Sequence, residues 1–224
     1  ILFGGSIFVS IILTLLFRLI KTAKSRSIEV VEVLIGVIEA RDPNLNGHSR
    51  FVQGLTMLLY DEMPSQMKKG LNRMSLEYAA LMHDVGKLGV PEHILNKPSK
   101  LDVAEWEVMH THPQIGVRLL KPLKSFASIK EWVRFHHERI DGTGYYNVKG
   151  DDIPLAAKMI ALTDTYSAIT MRRSYKPPRT HEEAIQIIKE CAGTQLDSAL
   201  VEIFCNIPKE KLIACAPKKA NLFE

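Results

Sequence analysis

The sequence predicts an all-α fold, a helical bundle preceded by an N-terminal transmembrane helix. Three observations lead to this prediction. Apolar residues recur at helical spacing in most segments, no alternating run is long enough to indicate a strand, and residues 1–17 carry no charge. The chain has 224 residues, of which 46% are hydrophobic, which is enough for one large domain with an appendage.

The first segment has the composition of a membrane span. Residues 1–20 contain a single charged side chain, Arg18, and a helix of about 20 apolar residues crosses a bilayer. Lys21, Lys24 and Arg26 follow directly, and basic residues of this kind mark the cytoplasmic side. We therefore expect a transmembrane helix at 1–20. The alternatives are a signal peptide, which would carry its basic residues before the apolar run, and a buried core helix.

The segment 21–41 is predicted to connect this span to the domain. Its second part, residues 28–41, has apolar side chains on almost every face and predicts a helix. That helix is also a candidate homodimer contact, because it continues from the predicted span and is apolar on several faces. The breaker-rich residues 42–47, DPNLNG, predict a turn.

Periodicity predicts most of the remaining helices. Helical patterns cover five further segments: 48–63, 71–84, 126–137, 155–170 and 181–192. Asp197 can cap a last helix that ends near 205. Residues 207–224 contain two prolines and several lysines, and they predict a loose tail.

Helix starts are marked by residues that satisfy free backbone N–H groups. Asp102 with Glu105, and Thr180 with Glu183, match the capping-box pattern. Pro113 stands where a helix can begin.

Several residues with chemical potential are interpreted as structural. The three cysteines match no zinc spacing. Trp106 and Trp132 lie on amphipathic helices and are predicted to pack in the core. Three histidines show no partner pattern and are left out of the predicted site: His93, His110 and His181. The net charge of +4 is mild, and we expect no DNA or RNA polymer as a partner.

Polar residues concentrate at the ends of predicted helices, where a bundle can bring side chains together. The group comprises seven residues: His48, His83, Asp84, His112, His136, His137 and Asp164. Each alone has an ordinary explanation, such as a helix cap or a hydrogen bond. Together they favour metal binding, because buried ionisable groups are costly unless paired or coordinated. Imidazole with carboxylate suits Fe, Mn or Zn, and seven such groups suggest two metal ions that share a carboxylate.

Four motifs then occur in an order typical of one family. They are HDVGK at 83–87, HTHP at 110–113, HHERIDGTGY at 136–145 and IALTDTYSAIT at 160–170. Over roughly 29–206 the chain resembles the HD-GYP family, a branch of the HD phosphohydrolases.

The resemblance implies a fold, an activity and a location. The fold would be an HD-type helical bundle extended by extra C-terminal helices. The activity would be metal-dependent hydrolysis of the bacterial second messenger cyclic di-GMP to linear pGpG, and to GMP where hydrolysis continues, in signal transduction. With the predicted membrane span, the protein would lie in the bacterial inner membrane with a cytoplasmic catalytic domain.

Individual roles are also implied by the resemblance. One metal ion would be held by four residues: His48, His83, Asp84 and Asp164. The other would be held by three residues, with Asp84 as the bridge: His112, His136 and His137. Asp84 and Lys87 would be catalytic, with Lys87 beside the scissile phosphate. Arg173 and Lys176 in the segment RRSYK would bind substrate phosphates. Four residues of the loop DGTGY would shape the substrate pocket: Asp141, Gly142, Gly144 and Tyr145.

Two departures from the family pattern bear on these expectations. Tyr146 stands where the family name has proline, which frees a backbone angle and restores an N–H. Asn44 stands where some members carry a glutamate that binds a third metal ion, so we expect two ions, Fe or Mn. Two alternatives stay open at this point. One is an HD hydrolase for another nucleotide or phosphate ester. The other is a catalytically weak or inactive module that binds metal or nucleotide and signals through protein partners.

Overall fold

The computed structural model describes residues 12, 14, 15, 17, 18, 29, 31–42, 47–172 and 177–217. Regular structure within these residues is helical, apart from isolated bridge residues at Met171 and at the paired Ala192 and Leu196. The prediction of an all-α bundle is confirmed.

Among the described residues between 31 and 214, eleven helices follow one another. Their bounds are α1 31–41, α2 His48–Glu62, α3 Arg73–Met82, α4 Glu92–Leu95, α5 Val103–Met109, α6 His112–Leu119, α7 Ala127–Phe135, α8 Leu155–Thr170, α9 His181–Glu190, α10 Ser198–Cys205 and α11 Lys209–Ala214. Short 3-10 turns lie at Val85–Gly89, Lys124–Phe126 and Gly150–Asp152.

The core is centred on α8, which packs against α2, α7, α9 and α10. This helix is apolar around most of its circumference and contributes ten buried residues, as expected of a helix enclosed by others. Tyr166 of α8 lies between Phe51 of α2 and Phe204 of α10, with ring centroids 6.2 and 5.2 Å away. This packing fixes α8 and α2 relative to each other.

The predicted caps are present. The Asp102 carboxylate accepts a hydrogen bond from the Glu105 N–H, and the Glu105 carboxylate accepts one from the Asp102 N–H. Thr180 and Glu183 make the equivalent pair at the start of α9. Asp197 accepts hydrogen bonds from the first turn of α10. These local interactions explain why the boundaries of α5, α9 and α10 could be placed from sequence.

The 3-10 turn Val85–Gly89 packs directly against the start of α6. A Cβ atom added at Gly86 would lie 1.7 Å from the His112 carbonyl oxygen and 2.6 Å from the Gly116 nitrogen. Only glycine allows this approach. The contact holds the HDVGK segment and His112 side by side.

The last residues of helix α1 contact the end of the 3-10 turn Val85–Gly89 and the start of α2. The Arg41 guanidinium donates hydrogen bonds to the carbonyl oxygens of Leu88 and Val90, the latter over 2.9 Å. The backbone N–H of Gly47 donates to the Glu39 carboxylate over 3.0 Å. The helix predicted over 28–41 is thus observed at 31–41 and is attached next to both His48 and Lys87.

The prediction of a transmembrane helix at 1–20 is contradicted, together with the inner-membrane location that depended on it. Within the part of the chain that the structure describes, no helix is long and apolar enough to cross a membrane. The longest of these helices whose bounds are given above, α8, has 16 residues, whereas a span needs about 20 apolar residues. Of residues 1–20, only Ile12, Thr14, Leu15, Phe17 and Arg18 belong to the described part.

Two further expectations need correction. The predicted loose tail at 207–224 contains helix α11, which docks on α2 through the fully buried Leu212. Residues 218–224 lie outside the described part. Trp132 is buried with 8% of its surface exposed, as predicted, but Trp106 is 46% exposed and does not belong to the core.

We expect Gly86→Ala to lower the free energy of unfolding by about 1–3 kcal/mol or more, because the new methyl group overlaps backbone atoms of α6. Urea denaturation followed by circular dichroism would measure the change. Gly36→Ala is the matched control, because nothing lies within 4 Å of its Cβ position in α1. In a helix interior that change should stabilise by up to about 1 kcal/mol. Equal midpoints for the two variants would contradict the close contact.

Candidate metal centre

Five helices bring the predicted polar residues to one place. His48 begins α2, His83 and Asp84 directly follow α3, and His112 begins α6. The remaining members of the cluster are on α7 and α8: His136 and His137 directly after α7, and Asp164 within α8. All seven residues chosen from the sequence therefore lie in a single cluster, although they are up to 116 positions apart.

Three of the histidine rings are held in the same way. The Nδ1 atoms of His83, His112 and His136 lie 2.7–2.8 Å from the carbonyl oxygens of Ala80, Met109 and Val133, three residues earlier in each case. Those carbonyls belong to the last turns of α3, α5 and α7, where no intrahelical partner is available. A carbonyl only accepts, so each Nδ1 carries the proton. The Nε2 lone pair of each neutral ring is therefore directed into the cluster.

The His48 ring is oriented by a different partner. Its Nδ1 lies 2.9 Å from the Ser167 hydroxyl oxygen of α8. Its Nε2 lies 3.2 Å from Asp164 Oδ1 and 3.9 Å from Asp84 Oδ2. Ser167 is fully buried and is not one of the seven cluster residues. Its hydroxyl therefore orients the His48 ring from outside the cluster.

The ligand atoms form two groups that share Asp84. In the first group, atoms of His48, His83 and Asp84 lie within 4.8 Å of one another. In the second, atoms of four residues do so: Asp84, His112, His136 and His137. One carboxylate oxygen of Asp84 lies 3.3 Å from His83 Nε2, and the other lies 3.3 Å from His112 Nε2. Each group has the donor types and spacing of a divalent metal site.

Buried ring nitrogens support this interpretation. Among the described residues, the Nε2 atoms of His83, His112 and His136 have no hydrogen-bond partner. A buried polar atom without a partner is costly, and such atoms are uncommon in folded proteins. A cation in each ligand group would satisfy all three. The cluster is therefore compatible with divalent metal ions.

The protonation states also suit metal ligands. Burial lowers the pKa of His112 to about 3, with a further contribution from His137. Burial likewise lowers the pKa of His137 to about 4 and holds that of His136 well below its usual range. Burial opposes ionisation of Asp84, but Lys87 and His83 lower its pKa well below the usual range. Near neutral pH the three imidazoles are neutral and the carboxylate is ionised, which is the state that binds metal.

The pKa values of His83 and Asp164 are shifted by the charges of their neighbours. Burial alone would lower the pKa of His83, yet the adjacent Asp84 charge raises it. Burial alone would raise the pKa of Asp164, yet its hydrogen bond and charge interaction with His48 lower it. The carboxylates and the histidines thus stabilise each other electrostatically.

Lys87 lies at the edge of the cluster. Its Nζ donates a hydrogen bond to Asp84 Oδ2 over 2.8 Å. The side chain also lines a cavity of about 710 Å³, together with Asp84, His112 and His137. The 3-10 turn after Asp84 places this ammonium one turn from the carboxylate, at the side from which a ligand would enter.

The loop after His137 is held by one buried carboxylate. Glu138 is 4% exposed, and its two oxygens accept hydrogen bonds from the N–H groups of Tyr146 and Val148 over 2.7 and 2.8 Å. A proline at 146 could not donate the first of these bonds. A Cβ atom added at Gly144 would lie 2.6 Å from the Glu138 Cα. The tyrosine at 146 therefore adds a contact that fixes the loop.

Asp141 shapes the same loop from its exposed side. Its carboxylate accepts hydrogen bonds from Arg139 and from the N–H and hydroxyl of Thr143. These bonds, with Arg139 the leading cause, lower the pKa of Asp141. Gly142 adopts φ 79°, a left-handed conformation that favours glycine.

Tyr145 faces the cluster, and its neighbours include a residue that the sequence interpretation left out. Its ring centroid lies 4.7 Å from that of His137 and 4.0 Å from that of His110, on which it stacks. His110 in turn contacts Trp106, four residues earlier on the same side of the helix. The four-residue spacing between Trp106 and His110 could have identified His110 as a site neighbour from the sequence. It was missed because Trp106 was predicted to lie in the core.

Three residues singled out in the sequence lie outside the described part of the chain. They are Asn44, Arg173 and Lys176.

Residues 32–200 match the family described as HD domain. The chain belongs to the HD domain family. The match lies inside the domain predicted at 29–206, and the recognition of an HD phosphohydrolase of the HD-GYP type is confirmed.

Relatives of this HD domain include a probable cyclic di-GMP phosphodiesterase of Vibrio cholerae, 34% identical over 86% of this chain and 46% of the relative. A second V. cholerae relative, 3'3'-cGAMP-specific phosphodiesterase 3, is 35% identical over 72% of this chain and 35% of its own length. The chain thus spans less than half of either relative.

A solved structure has the same fold. It is Bd1817, an HDGYP protein from Bdellovibrio bacteriovorus, with a TM-score of 0.56 and 18% identity over 71% of this chain and 50% of that one.

We expect Glu138→Gln to release the 142–149 loop. An amide group offers one acceptor oxygen in place of two, so the N–H of Tyr146 or Val148 loses its partner. Hydrogen–deuterium exchange at these amides should accelerate about tenfold. Glu131→Gln, on the exposed face of α7, is the control and should leave both amides unchanged. Unaltered protection in Glu138→Gln would contradict the role of this carboxylate.

Proposed function

We propose that this HD domain is a metal-dependent phosphodiesterase that hydrolyses cyclic di-GMP to linear pGpG in bacterial signal transduction. The observation that carries the proposal is the buried cluster in which Asp84 belongs to both ligand groups. Lys87 and an adjoining cavity of about 710 Å³ lie beside that carboxylate. Paired cation sites next to a cavity with a fixed ammonium suit phosphodiester hydrolysis.

The proposed metal ligands follow the two groups. One divalent ion would be held by His48, His83 and Asp84, with Asp164 beside His48, and the other by His112, His136 and His137 with Asp84. Iron or manganese is proposed, because both suit mixed imidazole and carboxylate ligands. Two bound cations supply Lewis acidity and lower the pKa of water. Asn44 offers a neutral side chain in place of a carboxylate, which supports two ions over three.

Lys87 is proposed to stabilise negative charge that develops on the phosphoryl oxygens. Its ammonium is held by Asp84 over 2.8 Å and faces the cavity. A charge fixed before the reaction requires no reorganisation during it. Arg173 and Lys176 stay proposed contacts for the substrate phosphates, since Arg favours forked contacts and Lys point contacts.

The loop residues Gly144 and Tyr145 are proposed to form the pocket wall. The Tyr145 ring lines both this cavity and a second one of about 420 Å³. Asp141 serves the substrate indirectly, because its carboxylate is engaged by Arg139 and Thr143. Tyr146 supports an active site, because its N–H helps to fix this loop.

Cyclic di-GMP is the proposed substrate because relatives carry that activity in their names. A relative named as specific for 3'3'-cGAMP makes this dinucleotide the second candidate. Both molecules are cyclic dinucleotides with two phosphodiester bonds, so the same cluster could act on either. The product assay described below would also show whether hydrolysis continues from pGpG to GMP.

We also propose that α1 is a homodimer contact. Val31, Ile35 and Ile38 face the core, whereas Val33 and Val37 are 67% and 51% exposed on the other side. Sedimentation equilibrium of the chain should give a dimer that Val33→Glu converts to a monomer. A monomeric wild-type chain would contradict this contact.

Asp84→Asn should abolish turnover while the fold persists, because the amide replaces a shared anionic ligand at nearly the same volume. The protein would be purified without oxygen, loaded with Fe(II) or Mn(II), and assayed by chromatography of the nucleotide products. Loss of an outer-shell partner costs about 10–100-fold in metal affinity or activity, so loss of this ligand should exceed about a hundredfold.

The matched control is Asp61→Asn, which removes an exposed carboxylate paired with Arg73 and should retain full activity. Metal content would be measured for both variants. Wild-type chain that holds two metal ions yet hydrolyses neither cyclic di-GMP nor 3'3'-cGAMP would favour the inactive binding module.

A further inference from the structure

Two cavities open from the cluster in different directions. The larger, of about 710 Å³, extends along α5 and the strap formed by residues 97–101. The smaller, of about 420 Å³, extends towards Arg139 and Gln195. Both are lined by His137, Tyr145 and Asp164. A ligand with two similar arms could thus place one arm in each cavity and its centre at the cluster.

An exposed tryptophan forms part of the larger cavity. Trp106 is 46% exposed, and no residue of its short helix α5 is buried. The indole therefore contributes little to the core, unlike that of Trp132, the other tryptophan of the chain. Singly exposed apolar side chains are common on protein surfaces, but cavities that bind ligands are lined mainly by apolar and aromatic side chains. The position of Trp106 in the cavity lining therefore makes it a candidate ligand contact.

Aromatic rings connect Trp106 to the cluster. The Trp106 and His110 rings meet edge to face with centroids 5.4 Å apart, and His110 stacks on Tyr145 at 4.0 Å. Tyr145 then lies 4.7 Å from His137. Trp106, Tyr145 and His137 all line the larger cavity, and His110 joins the first two rings.

The position of Trp106 is fixed by its neighbours. Asp102 and Glu105 form the capping box of α5, and the Lys97 ammonium donates a hydrogen bond to the Glu105 carboxylate. This bond ties the strap to α5 directly beside Trp106. Lys97 and Lys100 both line the cavity, so two ammonium groups border it together with the aromatic rings. Flat ring surfaces next to ammonium groups suit a purine attached to a phosphate.

We propose that Trp106 is the platform on which one purine base of the cyclic dinucleotide stacks, with the second base in the smaller cavity. This inference rests on the proposed function, since the two arms of the ligand are the two nucleosides. Stacking needs a π surface but no particular hydrogen-bond pattern. Trp106 would therefore contribute to affinity for guanine and adenine alike, and so for both candidate substrates.

The test compares Trp106→Ala, Trp106→Phe and Val103→Ala in the full chain with wild type. Val103 is 78% exposed on the same helix and does not line the cavity, so Val103→Ala is the matched control. Steady-state kinetics with cyclic di-GMP should show KM raised about tenfold in Trp106→Ala, the effect of one lost base stack, with kcat nearly unchanged. Trp106→Phe should restore most of the loss because it keeps a ring.

A second substrate separates stacking from a structural effect. Bis(p-nitrophenyl) phosphate contains a phosphodiester but no purine. In Trp106→Ala the ratio of kcat/KM for cyclic di-GMP to that for this compound should fall about tenfold. Equal losses on both compounds, or an unchanged KM for cyclic di-GMP, would overturn the inference.

Equilibrium dialysis with cyclic di-GMP measures binding and not hydrolysis, so it tests the stacking inference independently of the proposed activity. Wild-type protein that binds the nucleotide without hydrolysing it would refute the phosphodiesterase, and weaker binding by Trp106→Ala would still support the platform. Binding of equal strength in both proteins would refute the platform alone. Absence of any binding by the wild type would refute both.

Discussion

The site depends on one repeated interaction, in which a histidine donates its Nδ1 proton to a backbone carbonyl three residues earlier. His83, His112 and His136 all make it, each with a carbonyl at the end of a helix. The carbonyl gains the partner that the helix cannot supply. The ring gains a fixed orientation and a defined tautomer, with Nε2 directed at Asp84. The same hydrogen bond therefore satisfies the carbonyl at the end of a helix and orients the ligand atom of the histidine.

The surrounding contacts keep these helix ends together. Gly86 lets the turn after Asp84 approach the start of α6, so that His112 lies beside it. Glu138 fixes the opposite wall by accepting two backbone N–H bonds from the following loop. One of these comes from Tyr146, so the residue that departs from the family pattern supplies a loop contact that proline could not make. The ligand cluster is thus supported on both sides by groups that bind no ligand themselves.

The shape of the open side relates the cluster to its proposed substrate. Two cavities meet at Tyr145, and a cyclic dinucleotide has two bases joined by a phosphodiester ring. A common centre would allow the chemistry to be the same for different bases, and stacking on Trp106 would accept either purine. Relatives of this chain are named for two different cyclic dinucleotides, cyclic di-GMP and 3'3'-cGAMP.

Local rules determined much of this protein from the sequence alone. The capping boxes, the span of α8 and the order of the four motifs depend on residues close together in the chain. Periodicity shows which face of a helix is apolar, but it does not show what covers that face. The tertiary structure alone therefore decided that Trp106 borders a cavity, that His110 stacks on Tyr145, and that Leu212 anchors a helix in the predicted tail. It likewise contradicted the membrane span predicted at 1–20, because no helix in the described part of the chain is long and apolar enough to cross a membrane.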